Sequence, residues 1–159
     1  MRLLLTLSFF FFVNFCFAQT TVFDTKVEII KTKSGFQLLR NGEPYYVKGG
    51  GGTEHLEVLK NIGGNSIRTW STENAQQVLD NAHKNGLTVC MGLWVGHERH
   101  GFDYNDEYAI EAQLKGFEQD IIKYKDHPAL LMWAIGNEVD LFYKNFRVWN
   151  AIEDIAKMI

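Results

Sequence analysis

From residue 46 onward the chain repeats one grammar four times: a short apolar run, a polar loop, then apolar residues recurring every three or four positions. Residues 46–49, 66–70, 87–93 and 129–135 read as strands. Leu56, Leu59 and Ile62 mark a first helix, and Ala75, Val78, Leu79 and Ala82 a second. Ile110, Leu114, Phe117 and Ile121 mark a third, and Val148, Ile152, Ile155 and Ile159 a fourth. Thr53 and Thr72 stand where helix N-caps are wanted, and Gly63-Gly64, Asn85-Gly86 and Pro128 where helices stop. Such strand–helix alternation implies a parallel sheet with crossover helices. The apolar run at 129–135 suits a parallel strand covered on both faces. Periodicity alone fits an open doubly wound sheet and a barrel equally well.

Ahead of this repeat, residues 22–31 read as a strand. Residues 36–40 and 45–48 flank Asn41-Gly42, a dipeptide suited to a tight hairpin with positive φ at both central positions. Pro44 belongs at an edge or a strand start. A short β-hairpin within residues 19–45 is therefore expected to lead into the repeat at 46–159.

Residues 1–18 are expected to be a signal peptide. Arg2 supplies the positive start, residues 3–13 the apolar stretch, and Ala18-Gln19 the cleavage point. The stretch is short for a bilayer span, so the expectation is a secreted or periplasmic protein with no membrane attachment after cleavage. Phe15 and Phe17 flank Cys16 where a lipoprotein would want small residues. Cleavage leaves Cys90 as the single thiol, without a disulfide partner. It sits in an apolar run and reads as a strand residue rather than a nucleophile.

The net charge is −3 and no basic stripe appears, which argues against nucleic acid as a partner. Gly49-Gly50-Gly51-Gly52 lacks the spacing of a dinucleotide-binding loop, and Glu54 follows where phosphate would sit. His97-Glu98-Arg99-His100 is not a His-Glu-x-x-His zinc motif, since its second histidine comes one residue early. No cofactor or metal is expected, and the oligomeric state is left open.

Polar and aromatic residues crowd the C-terminal end of each expected strand: residues 49–53 after the first, Arg68 and Trp70 at the second, Trp94, His97, Glu98, Arg99 and His100 after the third, Asn137 and Glu138 after the fourth. In parallel α/β folds these ends share one face, where sites form. The sharpest signal is Trp133-Ala134-Ile135-Gly136-Asn137-Glu138, an apolar strand running straight into Gly-Asn-Glu. A carboxyl at the mouth of such a strand is partly desolvated, which favours its protonated form and suits a general acid. The bland alternatives are that Glu138 caps the next helix or pairs with Arg68.

These motifs resemble clan A of the glycoside hydrolases, the retaining (βα)₈-barrel (TIM barrel) enzymes, and above all the barrel domains of families 2 and 5. The resemblance runs from about Phe36 to Ile159. It rests on Arg40-Asn41-Gly42-Glu43-Pro44, on Gly64-Asn65-Ser66-Ile67-Arg68-Thr69-Trp70, on Ala82-His83-Lys84-Asn85-Gly86-Leu87 and on Gly136-Asn137-Glu138. It implies that Glu138 is the general acid/base and that Asn137 contacts the sugar 2-hydroxyl. Arg68 would then support the nucleophile, with Trp70, Trp94 and His97 as subsite walls. The substrate would be a poly- or oligosaccharide.

Four βα units are half of such a barrel. The resemblance places the nucleophilic carboxylate at the end of a seventh strand, and Glu54, Glu98 and Asp140 do not stand where it belongs. The expectation is a fragment carrying the N-terminal half, inactive by itself. A transglycosylase of the same fold and a non-catalytic carbohydrate-binding protein are the alternatives.

Overall fold

The computed structural model describes residues 25–159. The expected signal peptide, Cys16 and the start of the 22–31 strand lie outside the described residues. Two sheets are present. The first is antiparallel, with β1 (Val27–Thr32), β2 (Gly35–Arg40) and β3 (Glu43–Pro44) in the order β1-β2-β3. The second is parallel, with β4 (Gly49–Gly51), β5 (Ser66–Arg68), β6 (Thr88–Leu93) and β7 (Leu130–Ile135) in sequence order. Helices α1 (Leu56–Asn61), α2 (Ala75–Lys84), α3 (Glu107–Tyr124) and α4 (Arg147–Met158) follow the four parallel strands in turn.

Side-chain direction decides between the two folds that periodicity allowed. On β5 and β6, Ile67, Val89, Met91 and Leu93 point to one face and are buried there. Helix residues Leu56, Ala75, Leu79, Ala82, Ile121, Val148, Ala151 and Ile155 complete the two apolar clusters on that same face. Each Val, Leu, Ile or Met side chain so buried contributes about 1.5–3 kcal/mol, and each Ala roughly one methyl's worth, about 0.8 kcal/mol. The opposite face carries Ser66, Arg68 and Cys90, which line a hollow of 580 Å³ with the β4 glycines. Helices outside and a second face turned to a hollow describe part of a barrel wall, whereas a doubly wound sheet has helices on both faces.

β7 keeps to this scheme through an irregularity. Val89 pairs with Leu130, but Cys90 pairs with Met132, so Leu131 is an extra residue in β7. The shift returns Trp133 and Ile135 to the helix-covered face, where Trp133 packs against both clusters.

Several local expectations need correcting. The first barrel strand is Gly49–Gly51, not residues 46–49, and the hairpin's returning arm is only Glu43–Pro44. Glycine is required in β4 by its neighbours: a Cβ on Gly49 would meet the Ser66 carbonyl at 2.5 Å, and one on Gly51 the Trp70 ring at 2.8 Å. Thr53 and Thr72 do not cap. His55 and Asn74 hold the N-cap positions in left-handed conformation without side-chain caps. The Thr72 hydroxyl instead donates to Asp120 on α3 at 2.6 Å. Asp106 does cap, accepting from the Tyr108 and Ala109 amides. The Asn41-Gly42 turn has φ of 55° and 81°, the expected hairpin geometry.

The antiparallel sheet is tied to the parallel one by Arg40 and Tyr45. The Arg40 guanidinium donates to the Pro128 carbonyl at 2.9 Å and stands over the Tyr45 ring, whose hydroxyl donates to the Asn65 carbonyl at 2.9 Å. These contacts join β2 to the start of β7 and the residue after β3 to the start of β5, at the end of the strands away from Glu138.

Gly116 lies on the exposed side of α3, and a Cβ there would meet no atom within 4 Å. Gly116→Ala is expected to stabilise the protein by about 0.5–1 kcal/mol, read as a higher urea midpoint at unchanged slope. A lower midpoint would contradict the helix geometry given for α3.

Candidate active site

The C-terminal ends of the parallel strands gather the expected residues on one rim. At the end of β5, Arg68 Nη2 donates to Asn137 Oδ1 at 3.1 Å, so the second and fourth strands of the sheet are directly linked across the rim. The guanidinium also stands 6.0 Å from the Trp70 ring centroid. Trp70 is half-exposed and walls two hollows, the inner one shared with Arg68 and Cys90 and an outer one of 470 Å³ beside α2.

Beyond β6, Trp94 and His97 stack with ring centroids 4.8 Å apart and planes 10° from parallel, and His97 stacks on His100 at 5.2 Å. His97 is only 4% exposed, yet neither ring nitrogen has a hydrogen-bond partner. A buried polar group without a partner is unusual in a settled core. Burial holds the imidazole below its ordinary range, and the neighbouring Arg99 and His100 add to the effect. The Asn137 backbone and the Glu138 carboxylate pull weakly the other way, the former without the geometry of a full hydrogen bond.

At the end of β7 the ladder continues one step, with the Gly136 amide donating to the Leu93 carbonyl at 2.9 Å. Gly136 then turns at φ 74°, where a Cβ would also strike Val139 at 2.8 Å. Glu138 follows at φ 50°, a left-handed conformation uncommon for a side-chain-bearing residue. Its carboxylate pairs with neither bland candidate. Arg68 is engaged by Asn137, and the N-cap of α4 is Phe146, with no side-chain cap. The partner of Glu138 is Arg99, with Nη2 3.6 Å from Oε2.

The expectation of a dry mouth around this carboxyl is not met. The Glu138 side chain is 59% exposed, because β7 is an edge of the described sheet and β6 alone flanks it. Sequence reasoning placed Glu98 and Arg99 at this end of the third strand but gave neither a role. The Glu98 carboxylate accepts from the backbone amides of Lys144 and Asn145, which hold it below the usual carboxylate range. Opposite charges on adjacent rim loops were the available signal. Cys90 is half-buried and unpaired, with its thiol pushed up by desolvation. Among the described residues no group of three or more His, Cys, Asp or Glu is arranged to hold a metal ion, and no helix is long and apolar enough to cross a membrane.

Comparison with known proteins sets this rim in context. The family model for "Glycosyl hydrolases family 2, TIM barrel domain" matches residues 53–159. Beta-galactosidase BoGH2A of Bacteroides ovatus is 32% identical over 88 residues, which cover 54% of this chain and 10% of that protein. The beta-glucuronidase of Homo sapiens is 25% identical over 126 residues, covering 67% of this chain and 18% of the relative. The chain thus spans a small fraction of the length of the curated relatives it matches. Among solved structures, the Bifidobacterium dentium beta-glucuronidase complexed with coumarin-3-O-glucuronide superposes with a TM-score of 0.64 at 22% identity, covering 84% of this chain and 23% of that one. The exo-chitosanase CsxA of Amycolatopsis orientalis gives 0.57 at 20% identity, covering 84% and 18%. These two likenesses concern the fold.

The environment of His97 fixes a pH dependence. A histidine whose folded pKa lies below its unfolded one binds its proton more readily when unfolded. It leaves stability unaffected above the ordinary imidazole range and lowers it as pH falls through that range. Urea midpoints are expected to drop between about pH 7.5 and 5.5, and His97→Gln to remove part of that drop. An undiminished drop in the variant would assign the effect to another group.

Proposed function

The chain belongs to family 2 of the glycosyl hydrolases, as part of the TIM barrel domain, and on that premise we propose that it carries the acid/base half of a retaining β-glycosidase. The observation that carries this reading is the Asn137-Glu138 pair at the end of β7, with Asn137 held by Arg68 from across the rim. Activity belongs in this proposal to a protein with the whole barrel. There, a second carboxylate about 5–5.5 Å from Glu138 serves as nucleophile, supplied by a later strand outside these residues.

Each residue then has a task. Glu138 protonates the departing glycosidic oxygen, and after the sugar has been transferred to the nucleophile it takes a proton from the incoming water. Arg68 donates to Asn137 Oδ1, which leaves the Nδ2–H donors for the sugar hydroxyl beside the scissile bond. Trp70 and Trp94, both partly exposed, serve as walls for the sugar. His97 is buried and stacked between Trp94 and His100, so it backs that wall rather than facing the sugar as the sequence suggested. The relatives named beta-galactosidase and beta-glucuronidase support a β-linked galactoside or glucuronide as the substrate class. A basic start at Arg2, an apolar run and Ala18-Gln19 support export of the protein to the periplasm or the medium; N-terminal sequencing of the mature protein should begin at Gln19.

The reading is tested by Glu138→Gln in the whole-barrel protein. On an unactivated disaccharide, kcat should fall by about 10²–10⁴-fold. An aryl glycoside with a good leaving group should lose far less in its glycosylation step, since its departure needs little acid help. Unchanged turnover of the disaccharide would end the assignment. Longer oligosaccharides among the products would mark a transglycosylase, and sugar binding without any turnover a carbohydrate-binding protein.

A further inference from the structure

On the reading of Glu138 as acid/base, we propose that Glu98 is a positioning residue that fixes the stance of the Glu138 loop. Glu98 opens the 3₁₀ turn Glu98–His100 that follows β6. Its Oε2 accepts from two successive amides at the far end of the loop after β7, Lys144 at 2.5 Å and Asn145 at 2.9 Å. Asn145 is held from two further sides. Its amide nitrogen donates to Asn105 Oδ1 at 3.0 Å, and its Oδ1 accepts from the Arg147 amide, the first residue of α4. The neighbouring residue Arg99 reaches the near end of the same loop through Glu138. Two adjacent residues of one short turn therefore grip the loop at both ends.

The loop between these grips is strained. Glu138 and Phe142 both have positive φ, 50° and 61°, and Phe142 is bulky and largely exposed. Such conformations persist only where the surroundings over-determine them. The Leu141 amide donates to the Glu138 carbonyl at 3.1 Å, which closes the turn locally. Within the turn Val139 packs against the cluster that holds Leu93 and Val95, but among the described residues no hydrogen bond of that turn ties its backbone to the β6 side. The Glu98 carboxylate does so with charge-assisted bonds, which are stronger than neutral ones, while the Arg99 pair is long and exposed. Loss of the Glu98 grip frees the loop's far end, and the acid at its near end moves with it.

The test compares Glu98→Ala and Glu98→Gln in the whole-barrel protein on two substrates, an unactivated disaccharide and a 4-nitrophenyl glycoside of the same sugar. A misplaced acid harms the first and spares the second. Glu98→Ala should lower kcat on the disaccharide by about ten- to a hundredfold with little change in KM, and the aryl glycoside by less than about threefold. Glu98→Gln keeps one acceptor oxygen and should recover most of the loss; should the alanine variant fail to fold, Glu98→Ser, too short to reach the two amides, takes its place with the same expected selectivity. Equal losses on both substrates, or wild-type kcat in both variants, would overturn the proposal. Glu138→Gln in the same assay separates the two claims. If it is selective against the disaccharide and the Glu98 variants are not, the positioning role alone falls. If it is not selective, the acid/base reading itself falls.

Discussion

The parallel ladder from β4 to β7 has helices on one face only, and the site depends on that asymmetry. Ile67, Val89, Met91 and Leu93 are removed from water by α1 to α4, and this burial is the main favourable contribution to the half-barrel. Alternation along a strand then obliges Ser66, Arg68 and Cys90 to face the other way. Arg68 is on the inner face because Ile67 is in the core. One residue of slip in β5 would exchange them, burying a guanidinium among leucines. The extra residue Leu131 performs the same service for β7, restoring Trp133 and Ile135 to the covered face.

Parallel strands also deliver their C-terminal ends to a common rim, which is why loops distant in sequence meet there. Two links cross it. Arg68 to Asn137 runs along the inner side and spans the width of β6. Glu98 and Arg99 to the loop after β7 run along the outer side. The barrel wall supplies the rigidity, and these links pass it to a loop whose own backbone is strained.

Much of the architecture was readable because it rests on local periodicity. Ala75, Leu79 and Ala82 lie three or four apart and are all buried, as are Val148 and Ile155 of the fourth pattern. Ile62 and Ile159, read as the last members of their faces, are exposed at the helix ends, and Ala151 takes a buried place the pattern did not include. What escaped depends on long-range geometry. β4 is a run of glycines, which have poor strand propensity, and only the Ser66 carbonyl and the Trp70 ring explain them. Thr72 looked like a cap, but Asp120 on another helix takes its hydroxyl. At the site, Gly136-Asn137-Glu138 was conspicuous because a strand runs into it. Glu98 and Arg99 were legible as members of the polar run after the third strand, but not their partners, which lie in a loop distant in sequence.

Of the contacts on the outer side of the rim, the one from Arg99 to Glu138 is the weaker. At 3.6 Å, with the carboxylate more than half exposed, such a pair is worth at most about 1 kcal/mol, less than a factor of ten in any equilibrium. On the acid/base reading proposed above, a glycosidic oxygen approaching Glu138 displaces Arg99 at small cost. The exposure of Glu138 follows from β7 being an edge of the described sheet. The dry surrounding that role calls for therefore has to come from a further strand of a whole barrel and from the seated sugar, not from the residues described.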